Sequence, residues 1–222
     1  DEARDKAPDL TNDDLAYRNA AIGVRQEWLD PKFPILWTTS AELGGIVSGG
    51  ELQDDTFALG LRANTESFTY GFDAERRFTR DDADVDDDIL TASLRHRRVF
   101  SFATLSLGAS YREVVSDSVF AASDELSVDA YLSLRDQFGP FRIAGFAGIS
   151  RTRFPDYIAG FFEVPGGRKD TTHRLGAEAA IPNFMINGFH PVVSLSAQRT
   201  DSNVSRFETE QFGLGFALRR AF

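Results

Sequence analysis

Phe212-Gly213-Leu214-Gly215-Phe216-Ala217-Leu218-Arg219-Arg220-Ala221-Phe222 closes the chain, and its spacing decides how the rest is read. Every second residue collects Phe212, Leu214, Phe216, Leu218 and Phe222 in one set, broken only by Arg220. Gln211, Gly213, Gly215, Ala217 and Arg219 make the other set. Successive side chains of an extended strand point to opposite faces, so this segment reads as a strand with one apolar face and one small or polar face.

The same period runs backwards along the chain. Val193, Leu195 and Ala197 alternate with Ser194, Ser196 and Gln198. Leu126, Val128, Ala130, Leu132 and Leu134 alternate with Ser127, Asp129, Tyr131, Ser133 and Arg135. Phe68, Tyr70, Phe72 and Ala74 alternate with Thr69, Gly71, Asp73 and Glu75. Similar segments lie near 35–43, 57–63, 90–94, 103–109, 143–149 and 175–181. They make about ten strands from residue 34 onward, roughly nineteen residues each with a connection, where a membrane-crossing strand needs about 9–11. Short connections are expected near 64–67, 98–101, 137–140 and 183–188. Longer, charged ones are expected near 48–55, 80–88, 113–124, 153–170 and 200–207. Short turns on one rim and long loops on the other are the pattern of outer-membrane barrels.

The fold class expected is therefore all-β: an antiparallel transmembrane β-barrel of about ten strands, with twelve left open, carrying short periplasmic turns and longer extracellular loops. A soluble β-sandwich alternates in the same way. Against it stand the many charges in mid-strand and a chain that stops within a strand at an aromatic residue. The apolar face is expected to meet lipid, and the closed sheet to satisfy the backbone without an edge. The other face would line a bore filled by ion pairs, with Arg62, Asp73, Glu75, Arg95, Arg112, Asp129, Arg135, Arg142, Arg174 and Glu178 as its charge network, since an unpaired buried charge costs several kcal/mol. Residues 33–222 form the barrel in this reading. Residues 1–32 form a periplasmic, partly disordered N-terminal segment, with 19–29 left open as a further strand, a helix or a plug. An even strand count would put both termini on the periplasmic side. Phe212, Leu214, Phe216, Leu218 and Phe222 would be the signal read by the barrel assembly machinery.

Composition narrows the functional classes. The net charge is −10, from 34 acidic and 24 basic residues, which argues against nucleic acid as a partner. The absence of cysteine excludes disulfides and thiolate chemistry. No stretch reads as a membrane-crossing helix or as a charged leader followed by an apolar run, and Asp1-Glu2-Ala3-Arg4 would suit a chain whose leader has been cleaved. The expected location is the bacterial outer membrane, with its lipid and lipopolysaccharide as partners.

Within the last seventy residues, short motifs follow in order: Arg153-Phe154, Gly167-Arg168-Lys169-Asp170, Asn187-Gly188-Phe189-His190-Pro191, Arg199-Thr200-Asp201-Ser202-Asn203 and Leu218-Arg219-Arg220-Ala221-Phe222. They resemble the C-terminal outer-membrane barrel of the surface lipoprotein assembly modifier family. There an Arg-x-Asp segment, a Gly-Phe-x-Pro strand start, a Ser-Asn loop and a terminal Phe occur at similar spacing. The resemblance covers about a third of the chain. It implies a barrel that helps move lipoproteins to the outer face of the outer membrane, and hence a lipoprotein or another outer-membrane subunit as partner. Family members usually carry periplasmic helical repeats ahead of a fourteen-stranded barrel, and this chain departs from both.

No enzyme is expected, and neither cofactor nor metal. Asp82, Asp84, Asp86 and Asp88 are spaced like the start of a calcium loop. Asp87 stands where the loop needs glycine and Ser93 where it needs the closing Glu, so a solvated acidic loop is the reading. His96, His173 and His190 have no second His at metal spacing. A barrel acyl hydrolase would use His173 in preference to His190, yet no motif ties either to a serine. Tyr157, Phe161 and Phe162 lie in an apolar loop that would either bind a partner or fold into the barrel mouth. The functions expected are a scaffold or accessory subunit, then a narrow diffusion pore, then a lipid-modifying enzyme.

Overall fold

A computed structural model describes residues 17–48, 51–79, 86–116, 118–135, 138–160, 162–185 and 188–220. The strands are β1 (Tyr17–Leu29), β2 (Leu36–Ser48), β3 (Glu51–Asn64), β4 (Phe68–Thr79), β5 (Asp87–Val99), β6 (Ala103–Ser116), β7 (Ser123–Leu134) and β8 (Arg142–Phe154). Two short strands follow, β9 (Ile158–Ala159) and β10 (Phe162–Glu163), then β11 (Arg168–Ala180), β12 (Phe189–Ser202) and β13 (Thr209–Arg220). All but β9 and β10 form one eleven-stranded antiparallel sheet in the order β1-β2-β3-β4-β5-β6-β7-β8-β11-β12-β13. Its strands run 12 to 14 residues, about twice the usual length in globular proteins and enough to cross a bilayer at a tilt. Among the described residues, no helix is long and apolar enough to cross a membrane.

Each neighbour follows its predecessor in the chain, so local turns fix the register. At the turn before β4, Thr65 N–H donates to Phe68 O at 2.8 Å, and Thr65 Oγ1 accepts from Phe68 N–H at 2.9 Å. Between β1 and β2, the Asp30 carboxylate accepts from the N–H groups of Lys32 and Phe33, at 2.8 and 3.2 Å. Such side chain-to-backbone bonds reverse the chain without a regular ladder.

Three expectations change. The sheet has eleven strands rather than ten or twelve, because Tyr17–Leu29 is a full strand and not part of a segment outside the sheet. It pairs with β2 along its whole length, with Ile22 opposite Leu43 and Trp28 opposite Trp37. An odd count places the start of β1 and the end of β13 on opposite rims, against the expectation of both termini on one side. Nor is the sheet closed: β1 and β13 are its outer strands.

The loops also differ. The long connection expected at 48–55 is strand, because β2 runs to Ser48 and β3 begins at Glu51. Charged Asp54 and Asp55 read as loop, yet they pair with Thr79 and Phe78. The turn rim carries the connections β1–β2, β3–β4, β5–β6, β7–β8 and β11–β12, and the other carries β2–β3, β4–β5, β6–β7, β8–β11 and β12–β13. Only 155–167 is long, so the contrast between rims rests on that connection. Phe222, Phe161 and the segment 81–85 of the calcium-like stretch lie outside the described residues.

The two faces are buried in the reverse of the soluble pattern. Leu126 and Val128 are 55 and 50 % exposed, and Leu59, Phe72, Leu107, Ile149, Leu175 and Leu195 are also exposed. On the opposite face Thr38 and Ser150 are 5 and 4 % exposed, and Ile89, Val114, Ala144 and Val192 are buried. Small side chains of the polar face are covered, while its arginines Arg62, Arg95, Arg112, Arg142 and Arg174 are exposed, and on the apolar face Ala103 is buried.

Candidate functional site

The register aligns residues of the polar face in transverse rows. One row runs Arg62, Gly71, Ser93, Ser110, Ser127, Ser150, Thr172, Thr200 and Thr209 across β3 to β13, with a hydroxyl on each of its last seven strands. Ser110 and Ser127 share a hydrogen bond of 2.7 Å, and Thr172 and Thr200 one of 3.0 Å. Cross-strand hydroxyl pairs of this kind each stabilise a sheet by a few tenths of a kcal/mol.

The neighbouring row toward the turn rim is Arg95, Gly108, Asp129, Gly148 and Arg174. Charges alternate with glycines, so long side chains can lie across their neighbours. Arg95 Nη2 reaches over Gly108 to Asp129 Oδ2 at 3.9 Å. A Cβ on Gly108 would stand 2.5 Å from Asp129 Oδ1, which leaves no room for any other residue there unless Asp129 moves. Arg95, Ser106, Ser127, Asp129, Tyr131 and Arg174 line a groove of about 460 Å³ along this face. Toward the other rim, Asp73, Thr91, Arg112, Glu125, Thr152 and Asp170 align, with Arg112 directly opposite Glu125.

Of the ten charges read as one network, nine sit in strands on this face, and they divide among several rows. Arg95 pairs with Asp129 as above. Glu75 pairs with Arg77 at 3.2 Å and Glu178 with Arg219 at 3.3 Å. Arg62, Asp73, Arg112, Arg142 and Arg174 have no salt bridge among the described residues. Arg135 lies past the end of β7 and donates from Nη1 to Phe100 O at 3.3 Å.

A second cluster gathers on the rim carrying 155–167. Arg168 stacks over Phe154 and Phe207, with its guanidinium carbon 3.6 and 3.9 Å from the ring centres, and its Nε lies 3.1 Å from Asp170 Oδ2. Tyr157 is 3 % exposed and meets Phe120 and Phe207 edge-on, with centroids 5.9 and 5.6 Å apart. Arg206 donates to the Tyr157 hydroxyl. Asn203 ties the loops together: its Oδ1 accepts from Lys169 N–H at 2.7 Å and its Nδ2 donates to Gly167 O at 2.9 Å. Gly167 has φ 74, and a Cβ there would lie 2.3 Å from Phe154 O. Only glycine fits that backbone and that approach. The result is a packed knob built from residues 118–122, 155–160, 162–167 and 203–208.

The loop read as either a partner surface or a fold into the barrel mouth thus divides. Tyr157 is the buried centre of the knob, while Phe162, in β10, is 77 % exposed. Phe154, Gly167, Arg168, Asp170 and Asn203, residues of the motifs that carry the family resemblance, meet in one place although Phe154 and Asn203 lie far apart in sequence. Sequence reading missed Phe120, Arg206 and Phe207, which no local pattern marks.

The histidines do not gather. His173 is on the apolar face opposite Ile149 and Arg199, turned away from the serine row. His96 is on the same face against Phe68, with centroids 4.4 Å apart, and His190 is opposite Arg219. No group of His, Asp and Glu among the described residues is arranged to hold a metal. Phe212, Leu214, Phe216 and Leu218 lie exposed on the apolar face of β13, the first three at 71 to 75 %. On the same face near the turn rim, Trp28 and Trp37 stack at 6.4 Å, and Phe68 and Tyr70 at 6.1 Å.

Comparison of the chain with models of protein families, with curated proteins and with solved structures gives no match.

Proposed function

We propose that the sheet is the wall of a bacterial outer-membrane β-barrel that works without catalysis, as a scaffold or accessory subunit with the knob at the cell surface. The observation that carries this reading is the reversed burial, with Leu126 and Val128 open and Thr38 and Ser150 covered. Water would penalise so wide an apolar surface, whereas acyl chains would cover it. Stacked Trp28 and Trp37 and the Phe68–Tyr70 pair near the turn rim fit an interfacial aromatic belt. The motifs that converge in the knob extend the proposal to the assembly of surface lipoproteins, with the exposed Phe162 as a contact for the partner.

The test is co-purification from mild-detergent extracts of Gram-negative cells. An outer-membrane or lipoprotein partner is expected with the wild type and is lost with Phe162→Asp, while the variant keeps its place in the outer-membrane fraction. Recovery of the same partner with both proteins would remove Phe162 from the interface. A narrow pore is the second reading, favoured by the hydroxyl row on the polar face. It predicts stepwise conductance in planar bilayers, and the scaffold reading predicts none.

A further inference from the structure

On the apolar face, above the exposed Ile149 and Leu175, the knob-rim ends of β8 and β11 carry Arg151, Arg153 and Lys169. Alternation from Ile149 sets both arginines on that face. Arg153 lies directly opposite Lys169, and Arg151 opposite Thr171. Like charges facing each other across a strand pair destabilise it. None of the three has a salt-bridge partner among the described residues. The nearest carboxylates in register are Asp124, opposite Arg153 on β7, and Asp201, opposite Thr171 on β12. Asp201 is engaged by Arg199 at 2.8 Å. All three cations are exposed.

We propose that Arg151, Arg153 and Lys169 bind the headgroup of a lipid carrying phosphate monoesters, whose acyl chains lie along the apolar face below them. This rests on the membrane reading above and names the lipid that the surface would select. Three arguments lead to it. The cations border the apolar band, so a ligand that satisfies both parts of the surface has an anionic head and hydrocarbon tails. Long basic side chains lay their stems on such a surface and lift their charges to its edge. Asp124, opposite Arg153, offsets at most one of the three positive charges, and the two or three that remain match the charge of about −1.5 to −2 on a phosphate monoester better than a singly charged diester. The patch spans roughly 7 Å along β8 and about 5 Å across to β11, before side-chain reach is added, which is wide enough for two groups.

The test uses the full chain refolded into phosphatidylcholine vesicles that contain bis-phosphorylated lipid A, dephosphorylated lipid A or phosphatidylglycerol. Insertion is followed by tryptophan quenching from labelled lipid. Lipid retained after mild detergent extraction is measured by native mass spectrometry. The wild type is expected to retain bis-phosphorylated over dephosphorylated lipid A by about tenfold, and over phosphatidylglycerol by a smaller factor, since charge-assisted contacts to phosphate are the stronger kind. R151Q/R153Q/K169Q removes that preference with insertion unchanged. R151K/R153K, which keeps the charge, preserves it, and so does R98Q on the turn rim. Equal retention of phosphorylated and dephosphorylated lipid by the wild type overturns the site. So does a preference that survives the triple substitution, or phosphatidylglycerol held as firmly as lipid A. Failure to insert into any vesicle overturns the membrane reading and this site with it. Insertion without preference overturns the site alone.

Discussion

Arg168 and Gly167 bear the knob between them. The guanidinium is held between two rings and beside Asp170, and the glycine lets the chain pass within contact of Phe154 O. Each cation–π contact at a partly desolvated site contributes about 1–2 kcal/mol. Arg168→Ala is therefore expected to loosen the knob by about 2–3 kcal/mol and to leave the sheet intact. Gly167→Ala should do the same through backbone strain. Limited proteolysis checks both: cleavage confined to 155–167, with the strands still protected, is the expected pattern. Global loss of protection would mean that the knob holds the sheet rather than resting on it. Little of this cluster was legible in the sequence. The motif residues stood out singly, but whether Tyr157 was exposed or packed stayed open, because its neighbours, Phe120 and Phe207, come from loops far away in the chain.

Single strands were the most legible elements, because a period of two survives any tertiary setting. β7 reads Leu126, Val128, Ala130, Leu132 and Leu134 on one face, and the structure keeps that face whole. Two elements were misread, one for its charges and one for a strand count. The start of β3 carries Asp54 and Asp55 and was taken for loop, although strand pairing continues past the end of an apolar band. β1 mixes Arg25 and Glu27 with Ile22, Val24 and Trp28, and an argument from parity set it outside the sheet. The faces of β7 give a direct comparison. Val128→Arg is expected to cost about 2–4 kcal/mol of stability in a bilayer, as a charge facing lipid near mid-depth does. Ser127→Ala, on the other face, is expected to cost under about 1 kcal/mol, the worth of its bond to Ser110. Denaturant unfolding from phosphatidylcholine vesicles measures both. A Val128→Arg protein as stable as the wild type would place that side chain in water.

At the scale of the whole molecule, the all-β antiparallel sheet and the alternation of its two faces followed from the sequence, and closure did not. Eleven antiparallel strands leave β1 and β13 running in the same direction, so these edges cannot join by antiparallel bonds, and antiparallel closure takes an odd number of further strands. Local alternation carries no information on this, because it fixes each strand and not how many there are. The apolar residues of the two edges, Ile22 at 78 % and Leu214 at 75 %, are more open than their counterparts in interior strands, as expected where a neighbour is lacking on one side. The claim beneath the rest is that the apolar face lies against hydrocarbon. Trp28 and Trp37, stacked on that face near the turn rim, report on it. The full chain in phosphatidylcholine vesicles should show their emission quenched by nitroxide placed at the boundary of headgroup and acyl chain, and shielded from iodide in the water. Quenching by iodide with no effect of the labelled lipid would contradict the account.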